Sequence, residues 1–217
     1  MVDIENYRRI ISELEPYHAR LVAVSKLKPA SEIQVLINQG QHAFGENYVQ
    51  ELLAKRKSIE QAEWHFIGHL QSNKVKSIIS FIELIHGIDS LNLLKEVDKQ
   101  AKKTNRIVSC LLQLHISDEE TKFGFSYHEA RELLHTGELE SLKNVSVEGL
   151  MGMASLTDDQ SVIRKEFHEL KRFYDQHRSF GLRILSMGMT SDYKIALEEG
   201  SNLVRIGSAI FGERAGT

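Results

Sequence analysis

Lys26 closes an apolar run, Leu21-Val22-Ala23-Val24-Ser25-Lys26, on the same alternation phase as Val22 and Val24. A lysine turned toward a protein interior loses hydration, which favours its neutral form unless a partner compensates. The neutral amine is the form that attacks an aldehyde to give a Schiff base. On position alone Lys28 is an equal candidate, and a rim lysine reaching into water is the bland alternative. Far along the chain, Gly188-Met189-Thr190-Ser191 leads into a helical stretch, and Gly207-Ser208 follows another apolar run. Glycines beside hydroxyls at strand ends offer backbone N–H groups and side-chain donors to a phosphate. A helix cap at Thr190 or Ser191 would explain those residue types without any ligand. Arg205 lies two residues before Gly207, so alternation turns it to the same side. A structural ion pair with Glu198 or Glu199 is its competing role.

Other reactive-looking residues carry less. His65 and His69 are four apart, but on a strand that separates them by ~13 Å, too far to share a metal. No set of carboxylates or cysteines completes such a site, so no metal is expected. Cys110 reads as a small core residue, and Met151 and Met153 as filling. Neither a G-x-S-x-G elbow nor a P-loop occurs. The basic runs Lys55-Arg56-Lys57 and Lys102-Lys103 lie in helix-like segments with acids nearby and read as solvated faces.

These residues need elements to hold them. Eight β-rich apolar runs recur, at residues 21–26, 42–47, 64–70, 82–88, 107–116, 145–154, 183–188 and 202–212. Several are apolar on both faces, as parallel strands covered by helices are. Helical periodicity fills most gaps: Ile33, Leu36 and Ile37 share a face ahead of Gly40, and Val162, Phe167, Leu170, Phe173 and Tyr174 share another. Strict alternation predicts an α/β fold, a single (β/α)8 TIM barrel with an extra N-terminal helix, over residues 1–217 as one domain. A doubly wound sheet is disfavoured because no G-x-G-x-x-G follows the first run. In a barrel, chemistry sits at the C-terminal strand ends, and loops seven and eight take phosphate. Lys26, Thr190 and Ser208 all fall there.

The chain has 217 residues with 27 Lys+Arg against 30 Asp+Glu, a formal charge of −3, and is 41% hydrophobic. That is too apolar for a disordered chain and too acidic for a dedicated nucleic-acid binder. No stretch approaches the ~18 apolar residues of a membrane span, and the charged N-terminus shows no secretory signal. A lone cysteine excludes an intramolecular disulfide. A cytoplasmic protein is expected, with no nucleic-acid or membrane partner.

AVSKLKP (Ala23 to Pro29), FGENYVQE (Phe44 to Glu51), WHFIGHLQSNK (Trp64 to Lys74), EETKFGF (Glu119 to Phe125), EGLMGMA (Glu148 to Ala154), LSMGMTSDY (Leu185 to Tyr193) and VRIGSAIFG (Val204 to Gly212) occur in order. Together they resemble the pyridoxal phosphate homeostasis protein family, along nearly the whole chain. The resemblance implies an alanine-racemase-like barrel carrying pyridoxal 5′-phosphate as an aldimine on Lys26. It implies Thr190, Gly207 and Ser208 on the phosphate, with Ser191 added, and Arg205 near the pyridine ring. Asn47 and Asn73 line the same pocket by resemblance.

Three positions depart from the family pattern: His115 replaces an asparagine, Ser155 a proline and Ser191 a common acid. The implied role is cofactor homeostasis without turnover, with transfer to apo-enzymes and a monomeric state. An amino-acid racemase is the alternative, but the related racemases use a second domain and a partner's tyrosine that a chain ending at Thr217 is not expected to supply. Tyr48 or Tyr193 would substitute only by reaching the ring. Arg205, a pure donor, is expected to meet an unprotonated ring nitrogen. Arg205→Leu is then expected to alter the spectrum while leaving the fold intact.

Overall fold

The computed structural model describes residues 1–117 and 123–212, so part of the Glu119 to Phe125 motif lies outside the described residues. Each apolar run forms a strand: β1 (Arg20–Val24), β2 (Ala43–Glu46), β3 (Glu63–Phe66), β4 (Leu84–Ile88), β5 (Val108–Gln113), β6 (Val145–Met151), β7 (Ile184–Ser186) and β8 (Leu203–Ile206). They pair in parallel in chain order, and β8 returns to β1 with Arg205 opposite Val22, closing the barrel. Around it lie α1 (Ile4–Leu14), α2 (Ala30–Ile37), α3 (Val49–Ser58), α4 (Val75–Ile78) and α5 (Leu91–Lys103). The ring is completed by α6 (Tyr127–His135), α7 (Glu138–Ser141), α8 (Gln160–His177), α9 (Tyr193–Glu198) and α10 (Ser208–Phe211). The eight-stranded barrel and its N-terminal helix are as the alternation predicts. Among the described residues no helix is long and apolar enough to cross a membrane.

Local chemistry sets the boundaries. α2 follows Pro29, whose fixed φ of −70° suits a helix start, and Gly40 reverses the chain beyond its end at φ +91°. The Asp159 carboxylate accepts the Ser161 N–H and opens α8. Its buried face carries Ile163, Phe167, Leu170 and Phe173. Alternation splits the strand side chains into two layers. Leu21, Ala23, Phe44 and Trp64 pack outward under helices, while Val22, Leu84, Leu111, Met151, Ile184 and Leu203 fill the barrel. Each fully buried side chain of this size contributes roughly 1.5–3 kcal/mol. Met151 therefore does fill space, as read from sequence.

Two runs overshoot their strands. β1 stops at Val24, placing Lys26 in a turn, and the last run becomes helix from Ser208. The β7–β8 seam is the shortest: Ser186 lies opposite Leu203, and side chains complete the join. Asn202 Oδ1 accepts the Leu185 N–H at 2.8 Å, and Ser201 Oγ donates to a neighbouring carbonyl, its shortest contact being Met187 O at 2.9 Å.

Candidate functional site

Ser25 to Lys28 form a tight turn at the barrel mouth, closed by the Lys28 N–H on the Ser25 carbonyl at 3.0 Å. Leu27 takes φ +61°, a left-handed conformation that costs a non-glycine residue roughly 1–2 kcal/mol. Its N–H donates to Glu51 Oε1 at 2.6 Å. The two lysines now separate. Lys28 Nζ donates to the carbonyls of Phe211 and Gly212 at 2.8 and 3.2 Å, tying this loop to the end of α10. Lys26, half-buried, stands at the mouth beside the ends of β8 and β2.

The two expected phosphate loops touch. Gly188 has φ +91°, and a Cβ there would lie 2.7 Å from Ala196 Cβ. Asp192, not Thr190 or Ser191, precedes α9, and its Oδ1 accepts the Met189 N–H at 2.6 Å. Helix capping thus does not account for the two hydroxyls. Thr190 Oγ1 instead accepts the Gly207 N–H at 3.4 Å, a long bond that a charge-assisted one can replace. Gly207 presses on the end of β1, where an added Cβ would meet Val24 O at 3.1 Å. Ser191 is exposed on the first of these loops, and Ser208 is exposed as the first residue of α10, right after Gly207.

Arg205 enters the barrel interior and is only 4% exposed. Its guanidinium donates to Ser186 O and Oγ at 2.9 and 2.5 Å and to Gly152 O at 3.1 Å. Those three bonds leave two of its five N–H donors for another acceptor. Burial lowers its pKa to about 10, so it stays cationic at neutral pH. Glu198 and Glu199 bind Arg164 instead, which removes the ion-pair alternative. These bonds weigh against the expectation that Arg205→Leu leaves the fold untouched. The variant strands the buried acceptors of Ser186 and Gly152, so a loss of about 2–4 kcal/mol is expected by urea denaturation.

Below Arg205 runs a polar chain that sequence reading missed. Ser186 Oγ lies 3.4 Å from His86 Nδ1, and His86 Nε2 shares a hydrogen with His65 Nδ1 at 3.0 Å. Burial, then the Arg20 charge, lowers His65 to about 3. Burial also holds His86 well below its ordinary value, aided by His65, Arg205 and Arg20. Both rings are neutral. The only available signal was alternation, which puts His86 on the face of Leu84 inside the barrel. His69 lies apart at the mouth, 2.9 Å from Asp89 and stacked on Phe123.

Asn47 follows β2, and its carbonyl presses so closely on Gly68 that a Cβ there would lie 2.5 Å away. Its buried Oδ1 has no partner among the described residues, which suits an acceptor waiting for a ligand. It lines a cleft with Gln71 and Lys74, whereas Asn73 is exposed on the adjoining 3-10 turn and does not line that cleft. Lys55 corrects another reading: it is buried, not solvated, and bonds Glu46, Glu51 and the Ser25 carbonyl. Tyr193 is not poised as an acid. The Tyr193 hydroxyl donates to Glu13 at 2.6 Å and, through burial and that bond, is raised to about 12; Tyr48 is 55% exposed.

A lysine at the mouth, two touching glycine–hydroxyl loops and an interior arginine are the donor types that a phosphate-bearing pyridine aldehyde needs, and Asn47 opens on a cleft of its own with Gln71 and Lys74. Comparison with known proteins bears on the family and the fold. The family described as "Alanine racemase, N-terminal domain" matches residues 4–215. The "Pyridoxal phosphate homeostasis protein" of Aquifex aeolicus is 39% identical over 202 residues, covering 90% of this chain and 87% of that one. Its namesake in Synechocystis is 35% identical over 214 residues, covering 96% and 97%. The solved structure of PipY from Synechococcus elongatus PCC7942 with PLP bound superposes at TM-score 0.87, with 32% identity, over 96% of this chain and 99% of that one. An alanine racemase from Clostridium difficile shares the fold, at TM-score 0.76 and 16% identity, and the match covers 99% of this chain but 58% of that one.

Proposed function

Because the chain belongs to the pyridoxal phosphate homeostasis protein family, we propose that it binds pyridoxal 5′-phosphate, holds it covalently on Lys26 and hands it to apo-enzymes. PipY, solved with the cofactor bound, supports the ligand; the contact between the β7 and β8 loops, at a strand end that neighbours the end of β1, carries the reading. The bound cofactor supplies an aldehyde, with which a neutral amine condenses and releases water. Thr190, Ser191, Ser208 and the Gly207 N–H would hold the phosphate. Arg205 would offer its remaining donors to the ring nitrogen. A donor-only arginine leaves that nitrogen unprotonated, and an unprotonated ring is a weak electron sink. Carrying suits such a site better than broad catalysis.

Turnover as a racemase needs an acid and a base placed across the ring. Tyr193 is committed to Glu13, which weighs against it as either. The relatives' names also describe homeostasis rather than an enzyme.

Incubation with the cofactor, borohydride reduction and peptide mapping test the reading. Phosphopyridoxyl mass on the Lys26 peptide supports it; the same mass on Lys28 alone, or on no lysine, removes it. The phosphate assignment has its own check. Thr190→Ala and Ser208→Ala are each expected to weaken pyridoxal phosphate binding roughly tenfold, the worth of one charge-assisted hydrogen bond, and to spare pyridoxal. Equal losses for both vitamers, by isothermal titration, would show that the hydroxyls serve the fold.

A further inference from the structure

Lys55 and its two acids lie one layer behind the mouth, and no role in holding the cofactor accounts for them. The Lys55 ammonium donates to Ser25 O at 2.7 Å, Glu46 Oε1 at 2.7 Å and Glu51 Oε1 at 2.6 Å. An ammonium has three protons, and all three are committed. Ser25 adds a fourth link, its hydroxyl donating to Glu46 Oε1 at 2.6 Å. The cluster therefore joins the end of β1, the end of β2 and the first turns of α3.

What it grips is specific. Ser25 O belongs to the peptide immediately before Lys26, and the Leu27 N–H held by Glu51 belongs to the peptide immediately after it. Both peptides flanking Lys26 are thus fixed by one ion cluster. Leu27 is 61% exposed, so packing does not explain its left-handed backbone. Stability explains the cluster poorly as well. Buried ion pairs are often no better than apolar packing, because desolvation offsets the attraction. Their best-attested benefit is geometric, the choice of one arrangement over its neighbours. Glu46 also precedes Asn47, so the same anchor sets a second residue of the mouth.

We infer that Lys55, Glu46 and Glu51 are positioning residues that hold the Ser25–Lys28 turn so that Lys26, and not Lys28, is presented to an incoming aldehyde. This rests on the proposed role of Lys26. Without the clamp, the Lys26 peptides relax toward ordinary backbone geometry and the amine is displaced. Misplacement by about 1 Å costs reaction rates up to ~100-fold.

The test uses the full chain, pyridoxal 5′-phosphate and borohydride trapping with peptide mapping, beside circular dichroism. Lys55→Met and Glu51→Ala are expected to keep the far-ultraviolet spectrum yet trap at Lys26 ~10- to 100-fold more slowly, with label spreading to Lys28. Glu51→Gln keeps an acceptor for the Leu27 N–H and is expected to retain most of the wild-type rate and selectivity. A merely structural cluster would not produce that rescue together with a changed Lys26-to-Lys28 ratio. Folded Lys55→Met that traps at the wild-type rate, on Lys26 alone, overturns the inference. Should Lys55→Met not fold, Glu51→Ala decides on the same criteria. Absence of label on Lys26 in the wild type overturns the parent reading, and this one with it.

Discussion

Lys26→Ala is expected to abolish covalent capture of pyridoxal phosphate, leaving no borohydride-fixed mass on the protein and no imine absorbance. The expectation rests on the proposed role of Lys26 and on the ties that Lys28 makes elsewhere. Lys28 is anchored by the carbonyls of Phe211 and Gly212, so its ammonium is committed to closing the loop against α10. It cannot take over without breaking that tie and losing its proton. The phosphate loops remain in Lys26→Ala, so binding falls without vanishing. A loss of ~100-fold in affinity, about 2.7 kcal/mol, is the expected scale. Equilibrium dialysis measures that loss, and mass spectrometry after reduction measures the capture. A Lys26→Ala protein that keeps its full imine absorbance sinks the assignment.

Acid is expected to unfold the protein through the His65–His86 pair. In the unfolded chain both rings take up protons as pH falls below about 6.5, the ordinary value. In the folded barrel His65 does so only near 3, and His86 is likewise held well below its ordinary value. The unfolded state therefore binds more protons below 6.5, and stability falls as pH drops through that window toward 3. His65 contributes a slope of up to ~1.4 kcal/mol per pH unit, about 2 kcal/mol at pH 5, and His86 adds to it in the same direction. That is a large share of a typical stability of ~5–15 kcal/mol. Urea denaturation at pH 7 and pH 5 measures it. A His65→Asn/His86→Asn variant should be weaker at pH 7, yet lose less on acidification. Equal losses in the two proteins would mean that the pair is not the acid-sensitive element.

The barrel was legible because parallel strands covered on both faces leave long apolar runs. Those runs were less informative about their own ends. The first run carries its alternation through the polar Ser25-Lys26, and apolar residues resume past Ile206 at Ala209-Ile210-Phe211, so the turn at Lys26 and the helix from Ser208 read as strand. Nothing local announces a left-handed leucine at position 27. The phosphate loops were readable because glycine and hydroxyl types cluster within a few residues. Lys55 was misread because its partners, Glu46 and the Ser25 carbonyl, come from other elements. In sequence it stands beside Arg56 and Lys57 and shares their apparent exposure. The histidine pair was hidden for the same reason, since β3 and β4 meet only in the folded sheet.

The shortest seam of the barrel, between β7 and β8, lies directly under the loops proposed to grip the phosphate. Few strand hydrogen bonds cross it, and Ser201, Asn202 and Arg205 sew it with side chains. A cylinder breathes where its staves are least joined. An anion seated, as proposed, on Thr190 from one stave and Gly207 and Ser208 from the next would act as a clasp across that joint. Loading and closure are then one linked equilibrium, since a ligand that binds only the closed form stabilises it. Amide hydrogens along this joint would exchange more slowly as cargo is taken on, while those of β5 and β6, already paired along their length, would scarcely change. On the proposed function, the cofactor-free form is then the one expected to open more readily along this joint.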